Sequence, residues 1–309
     1  MVEWDLAKVQ TRVRFPSPAK VFSSILLFIS FSHTTDLKIV QISTSAKQGE
    51  LIYLRSEVIS PQANLSLNFL GKDVPCYQVV TKKNKSETTQ ASEITIWECF
   101  MAIPADSPIG KQTIKLLDQD KAVMSVNSEI IPTAFPIEPI VLSEEKKSLL
   151  SKEDRPQDLK KIKQALKSES KTKKWEKEFL QPIQGKIESL YGEKRILDGE
   201  LKKGYHRGLD LGAPEGAPIK AANHGEVILA GEFIEEGNMV MIDHGQGFIT
   251  AYLHCSKILV RKGKKVKKGE VIGEVGSTGV VNTPHLHFGT YIHGAPIDPL
   301  YLLNKFSYN

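Results

Sequence analysis

Between Asp36 and about Phe135, short apolar segments alternate with polar positions, as in LKIVQIS, LIYLRSEV, LSLNFL, EITIWECFMAI and KQTIKLL. Gly, Pro, Asn or Lys-rich turns separate them. Successive side chains of a strand point to opposite faces, so a period of two predicts half-buried β-strands. Their spacing predicts an immunoglobulin-like β-sandwich over residues 36–136. The period then changes. Leu159, Ile162, Leu166, Trp175 and Phe179 recur at helical spacings, which predicts a charged helical connector over 137–180, broken near Pro156. Strand-like patterning returns over 181–309, so the fold class expected is mainly β.

A chain of 309 residues exceeds one ordinary core and fits at least two folding units. With 40% apolar residues it is not a wholly disordered chain, and with 25% charged residues it is not a polytopic membrane protein. Near the start, VFSSILLFISFS follows Lys20 and reads as the apolar region of a signal peptide within 1–35, too short for the ~20 residues of a membrane span. The stretch before Lys20 is long for a signal and carries Glu3 and Asp5, which points to a start assigned too far upstream. Export to the periplasm or cell envelope is expected, with no stable membrane span unless the signal is retained.

The net charge is +5, and residues 143–180 hold 12 Lys or Arg against 8 Asp or Glu. Most of the excess therefore belongs to a solvated connector, and no nucleic-acid partner is expected. Three cysteines exclude a disulfide scaffold and a multi-cysteine zinc site. Cys76 and Cys99 both fall in the expected sandwich, where an exported pair either bridges or remains two buried thiols.

Candidate chemistry is concentrated in the last third. In GYHRGLDLGAPEGAPIKA, strand alternation puts His206, Gly208 and Asp210 on one face and Leu209 and Leu211 on the other. Gly208 leaves room for an ion or for substrate backbone. PHLHFG points His285 and His287 to one side, with Leu286 and Phe288 toward the core. TAYLHCS adds His254 on a strand, sharing a face with Tyr252. Each piece alone is weak evidence, but three strand segments presenting histidine beside glycine are harder to assign to chance. Histidine and carboxylate suit zinc, and three protein ligands leave a fourth position for water, the pattern of a hydrolytic site. The remaining histidines are candidates for proton transfer or oxyanion stabilisation. Spacing does not choose between His285 and His287 as ligand.

From about Phe179 to Leu303 the chain resembles the lysostaphin-like (LytM-type) zinc endopeptidases that cut peptide bonds in bacterial peptidoglycan. The matching pieces are FLQPIQGKIESLYGEKR, YHRGLDLGAPEGAPIKAANHGEV, GNMVMIDHGQGFITAYLH, VKKGEVIGEVGSTG, PHLHFG and IDPLYLL, in the family's order. Residue by residue, the resemblance implies one zinc ion held by His206, Asp210 and His287. It places His254 and His285 beside the water and the scissile carbonyl, and gives Asn238 either a part in placing substrate or the role of a turn residue. Peptidoglycan is the implied partner, and a regulatory protein partner is compatible with it. Cys255 departs from the family, which commonly has an apolar residue there. The strand period turns it away from His254, so it is expected to act as a small buried hydrophobe rather than a nucleophile. His224, His244 and His293 lie beside glycines in apparent turns and are expected to be structural. RKGKKVKKG reads as a solvated edge hairpin.

Two other classes compete. Some relatives have lost metal ligands and act as non-catalytic envelope modules that activate other wall hydrolases, but here all five positions are filled. A lipoyl-type carrier would share the VKKGEVIGEVGSTG repeat, yet its modifiable lysine turn is missing.

Overall fold

The computed structural model describes residues 27–29, 36–59, 63–84, 92–151, 153, 155–176 and 178–304. The signal peptide and the upstream start lie outside these residues, except that Leu27–Ile29 forms a short strand antiparallel to Asp36–Ile42. Among the described residues no helix is long and apolar enough to cross a membrane. The architecture is mainly β.

The amino-terminal strands form one continuous nine-stranded sheet. Lys72–Asn84 pairs with Leu65–Phe69 through its first residues and with Ser92–Ala102 through the rest, which joins the two halves. Ile52, Leu54, Leu67, Cys99, Ile114 and Ile130 fill the core between them. Cys76 and Cys99 face each other in the ladder and are bonded as a disulfide. Leu51, Phe100 and Ala102 point the other way, into a second core that continues into the carboxy-terminal part. Burial on both faces explains why WECFMAI is an apolar run rather than an alternation.

The connector differs from the helix expected over 137–180. Ile137–Ile140 is a strand, Glu144–Leu149 and Arg155–Ala165 are helices, and the chain from 168 to 180 contains no helix in its described residues. Pro156 does not break a helix; it occupies the first turn of one, where its missing N–H has no helical acceptor to lose. Trp175 and Phe179 are buried because this irregular segment runs through the core, stacked around Phe248 at 4.9 and 6.0 Å between ring centres. Their four-residue spacing carries no helical meaning.

The carboxy-terminal part is built on an eight-stranded antiparallel sheet. Its centre runs Gly208–Gly212, His285–Ile292, Phe248–Cys255, Gly237–Gly245, and a three-stranded sheet of Pro218–Lys220, Val271–Glu274 and Lys257–Ile258 lies beside it. Leu209, Leu211, Tyr252, Leu286 and Phe288 join the core on one side. Met241, Ile249, Ala251 and Leu253 form a smaller cluster under Ile162 and Ala165 of the connector helix and Leu166 just past its end.

Candidate metal centre

Three elements bring the polar cluster together. Asp210 stands opposite His287 in the antiparallel pair of Gly208–Gly212 with His285–Ile292, while Leu209 faces Phe288 and Leu211 faces Leu286 toward the core. Alternation thus separates the cluster from the core as expected. His206 is an exception, because it precedes the strand and does not belong to its alternation. Backbone bonds from Gly192 N to His206 O and from His206 N to Glu193 O fix it instead, both 2.8 Å.

His206, Asp210 and His287 form one group that could hold a metal ion. Oδ1 of Asp210 lies 3.0 Å from His206 Nε2 and 2.8 Å from His287 Nδ1, and the two nitrogens are 2.9 Å apart. A tetrahedral ion about 2.1 Å from each ligand separates them by about 3.4 Å, so the cluster has to open by roughly half an ångström. Nδ1 of His206 is 2.8 Å from the carbonyl of Leu190, which fixes the proton there and leaves Nε2 as a lone pair aimed into the cluster. Burial pushes the Asp210 carboxyl up, but the imidazoles of His206 and His287 against its Oδ1 outweigh burial and hold the group well below the usual carboxylate range. An ionised carboxylate and two imidazoles, all largely withdrawn from water, are the donor set of a divalent transition metal. Gly208 makes this packing feasible. A Cβ there would meet His287 Nε2 at 2.5 Å and the Phe288 carbonyl at 2.6 Å, so the glycine makes room for the His287 ring rather than for an ion or substrate.

His254 and His285 stand beside the group with ring centres 5.2 Å apart, and His254 is 6.1 Å from His287. Their Nδ1 atoms lie 2.9 Å from the carbonyls of Thr278 and Thr283, so both point Nε2 away from those backbone anchors. Nε2 of His285 is 3.9 Å from Asp210 Oδ1. Burial, followed by the neighbouring His287 and His285, pushes His254 down to about 3, which keeps it a neutral base. The face expected to be shared by Tyr252 and His254 is not shared. Tyr252 packs in the core, whereas His254 has φ of 65° at a bulge opposite Asn238 and Val240. The left-handed residue resets the alternation, and Cys255 consequently joins Tyr252 in the core. Burial raises the Cys255 thiol to about 12, so it is no nucleophile at neutral pH. Asn238 donates to the carbonyls of Cys255 and Ser256 at 3.0 and 3.4 Å, bracing this bulge. His244 is fully buried, and His293 is buried against Tyr77.

Sequence reasoning did not single out Arg195, whose guanidinium lies 3.2 Å from Asp210 Oδ2. Nor did it single out the three carbonyls that orient His206, His254 and His285. The only sequence signal for Arg195 was its place at the end of the YGEKR piece.

The connector also reaches the site. Ile137–Ile140 pairs in parallel with Lys194–Leu197, the strand of Arg195, and Lys147 bonds Asp198 at 2.8 Å. On the other side, Lys146 Nζ donates to the carbonyls of Ser277 and Gly279 at 3.3 and 2.9 Å, while Asn282 donates to the Val141 carbonyl at 2.6 Å. Residues 137–149 therefore form a strap between the two segments that hold Arg195 and the flanking histidines.

Comparison with known proteins agrees with this geometry. The model of peptidase family M23 matches residues 204–299. The peptidoglycan DD-endopeptidase ShyA of Vibrio cholerae is 37% identical over 121 residues, 38% of this chain and 28% of ShyA. The cell division protein DipM of Caulobacter vibrioides is 36% identical over 134 residues, 41% of this chain and 21% of DipM. The chain thus spans less than a third of the length of these relatives. A crystal structure assigned to peptidase M23 from Pseudomonas aeruginosa superimposes with a TM-score of 0.54 at 25% identity, covering 80% of this chain and 90% of that one. The strand pairing that sets Asp210 against His287 lies within residues 204–299, the segment of the chain that matches peptidase family M23.

Proposed function

We propose that the chain is a zinc-dependent endopeptidase, exported to the periplasm or cell envelope, that hydrolyses peptide bonds in the cross-links or stem peptides of bacterial peptidoglycan. Residues 181–309 are the catalytic domain, 36–136 an immunoglobulin-like spacer and 137–180 the connector. His206, Asp210 and His287 hold one zinc ion, His254 and His285 are the catalytic histidines, and Asn238 contributes to substrate placement through the bulge it braces. One observation carries the reading. Two histidines outside the metal group each have Nδ1 anchored on a backbone carbonyl beside an Asp–His–His cluster. A structural metal site has no use for that pair, whereas hydrolysis needs proton carriers next to the metal. The peptidoglycan DD-endopeptidase ShyA, similar over the same region, supports the substrate class.

When bound, zinc supplies a Lewis acid that polarises a carbonyl and acidifies water. The rest is done by side chains. His254, neutral and buried, accepts a proton at Nε2 while Nδ1–H stays on Thr278 O. His285 presents Nε2 beside Asp210, where it can hydrogen-bond charge developing on the carbonyl oxygen or deliver a proton to the leaving amine. Asp210 stays ionised and offsets part of the metal's charge. The test is digestion of isolated sacculi by the purified full chain. New amines and carboxylates, absent with chelator and restored by zinc, are expected without new reducing ends. Chelator-resistant reducing ends would overturn the reading, since that is the product of glycosidase chemistry.

A further inference from the structure

Asp210 divides its two oxygens. Oδ1 receives both ligand histidines, at 3.0 Å from His206 and 2.8 Å from His287, while Oδ2 is met by Arg195 at 3.2 Å. A cation that merely stood in for a metal would sit where the ligand atoms converge, on Oδ1. Arg195 is on the other oxygen, in a place that a metal at the cluster does not need. Its backbone is held on both sides, with Glu138 opposite it in the parallel pair and Lys202 N donating to Arg195 O at 2.9 Å. The side chain is one-third exposed, against 9% for the Asp210 side chain, so the guanidinium closes the cluster toward solvent.

We propose that Arg195 is a positioning residue for the metal ligand Asp210: it fixes the carboxylate through Oδ2 so that Oδ1 alone is offered to the ion. The inference rests on reading His206, Asp210 and His287 as ligands. Two physical effects oppose each other. The arginine's charge repels a divalent ion, while its hydrogen bond removes the rotation that would otherwise let Asp210 turn both oxygens away from the histidines. The division of the oxygens favours the second effect, because an anchored ligand loses less freedom when the ion binds. Hydrogen bonds that orient ligating groups typically change metal affinity by about 10- to 100-fold when removed.

The test is zinc affinity of the full chain, measured by competition with a chromogenic chelator for wild type, Arg195→Ala and Arg195→Lys. Thermal unfolding of the zinc-free proteins checks that each is folded, and Arg195→Met, which keeps the aliphatic stem, replaces the alanine variant should that one not fold. The alanine or methionine variant is expected to bind zinc about 10- to 100-fold more weakly, and lysine to recover part of the loss. Unchanged or tighter zinc binding in the alanine or methionine variant overturns the proposal, since that is the behaviour of a competing cation. Wild type that binds no zinc overturns the ligand reading itself, a separate outcome.

Discussion

His285 and His287 are two residues apart on one strand, and only His287 has a ring nitrogen within 3 Å of both His206 and Asp210. His287→Ala is expected to lose zinc and activity together. His285→Ala is expected to keep zinc and lose turnover by roughly 100-fold or more, the usual scale for a positioned acid, base or oxyanion donor. Metal analysis alongside steady-state kinetics on sacculi checks this, and reversed metal contents would exchange the two roles. A different histidine governs stability. His244 is fully buried with Nδ1 on the His224 carbonyl at 2.7 Å and Nε2 on Thr250 Oγ1 at 2.8 Å, and burial pushes it down to about 4. The unfolded imidazole titrates near 6.5, so the folded state excludes a proton that the unfolded state takes up. Its contribution is fully present above about pH 6.5 and is lost as pH falls toward 4, up to about 3 kcal/mol at ~1.4 kcal/mol per pH unit. Denaturant unfolding should therefore show wild type losing more stability over that window than His244→Asn. At this scale the sequence was informative where a side chain carries the chemistry. It was silent where a carbonyl does: Leu190, Thr278 and Thr283 orient three histidines through oxygens that every residue has.

Among the elements, the strap is held on one side mainly by backbone pairing and on the other by Lys146 and Asn282. No side chain of Ile137–Ile140 is buried, and helix Glu144–Leu149 buries none either. Few apolar contacts secure it, so it belongs to the least stable part of the connector. Lys146→Ala removes two charge-assisted bonds to one wall. It is expected to speed zinc removal by a chelator several-fold without changing the equilibrium affinity, an outcome that stopped-flow exchange would detect. Element prediction from sequence worked where the period reflected one buried face, as in Leu65–Phe69 with its strict alternation of burial. It misread Trp175 and Phe179, because an irregular segment threading a core can place aromatic residues four apart without any helix. It also could not see that a single left-handed residue, His254, would reset the faces of a strand, since φ leaves no mark in composition.

Across the whole molecule, the amino-terminal sheet and the carboxy-terminal part share a core rather than a hinge. Leu51 and Phe100 pack with Trp175, Phe179 and Phe248. The Tyr191 hydroxyl donates to the Pro296 carbonyl at 3.0 Å and accepts from Ala105 N at 3.1 Å, joining the two parts at one atom. Nothing in the apolar pattern distinguishes a face that covers its own sheet from one that covers a neighbour's, so this joint was not legible from the chain alone. The joint also fixes the status of the strap. Ile131 ends a strand of the first sheet and Trp175 lies in the shared core, so both ends of the intervening chain are pinned to one body. Displacing residues 137–149 is therefore a unimolecular step, and the displaced segment remains at a local concentration on the order of millimolar. Dilution therefore leaves the displaced fraction of the strap unchanged.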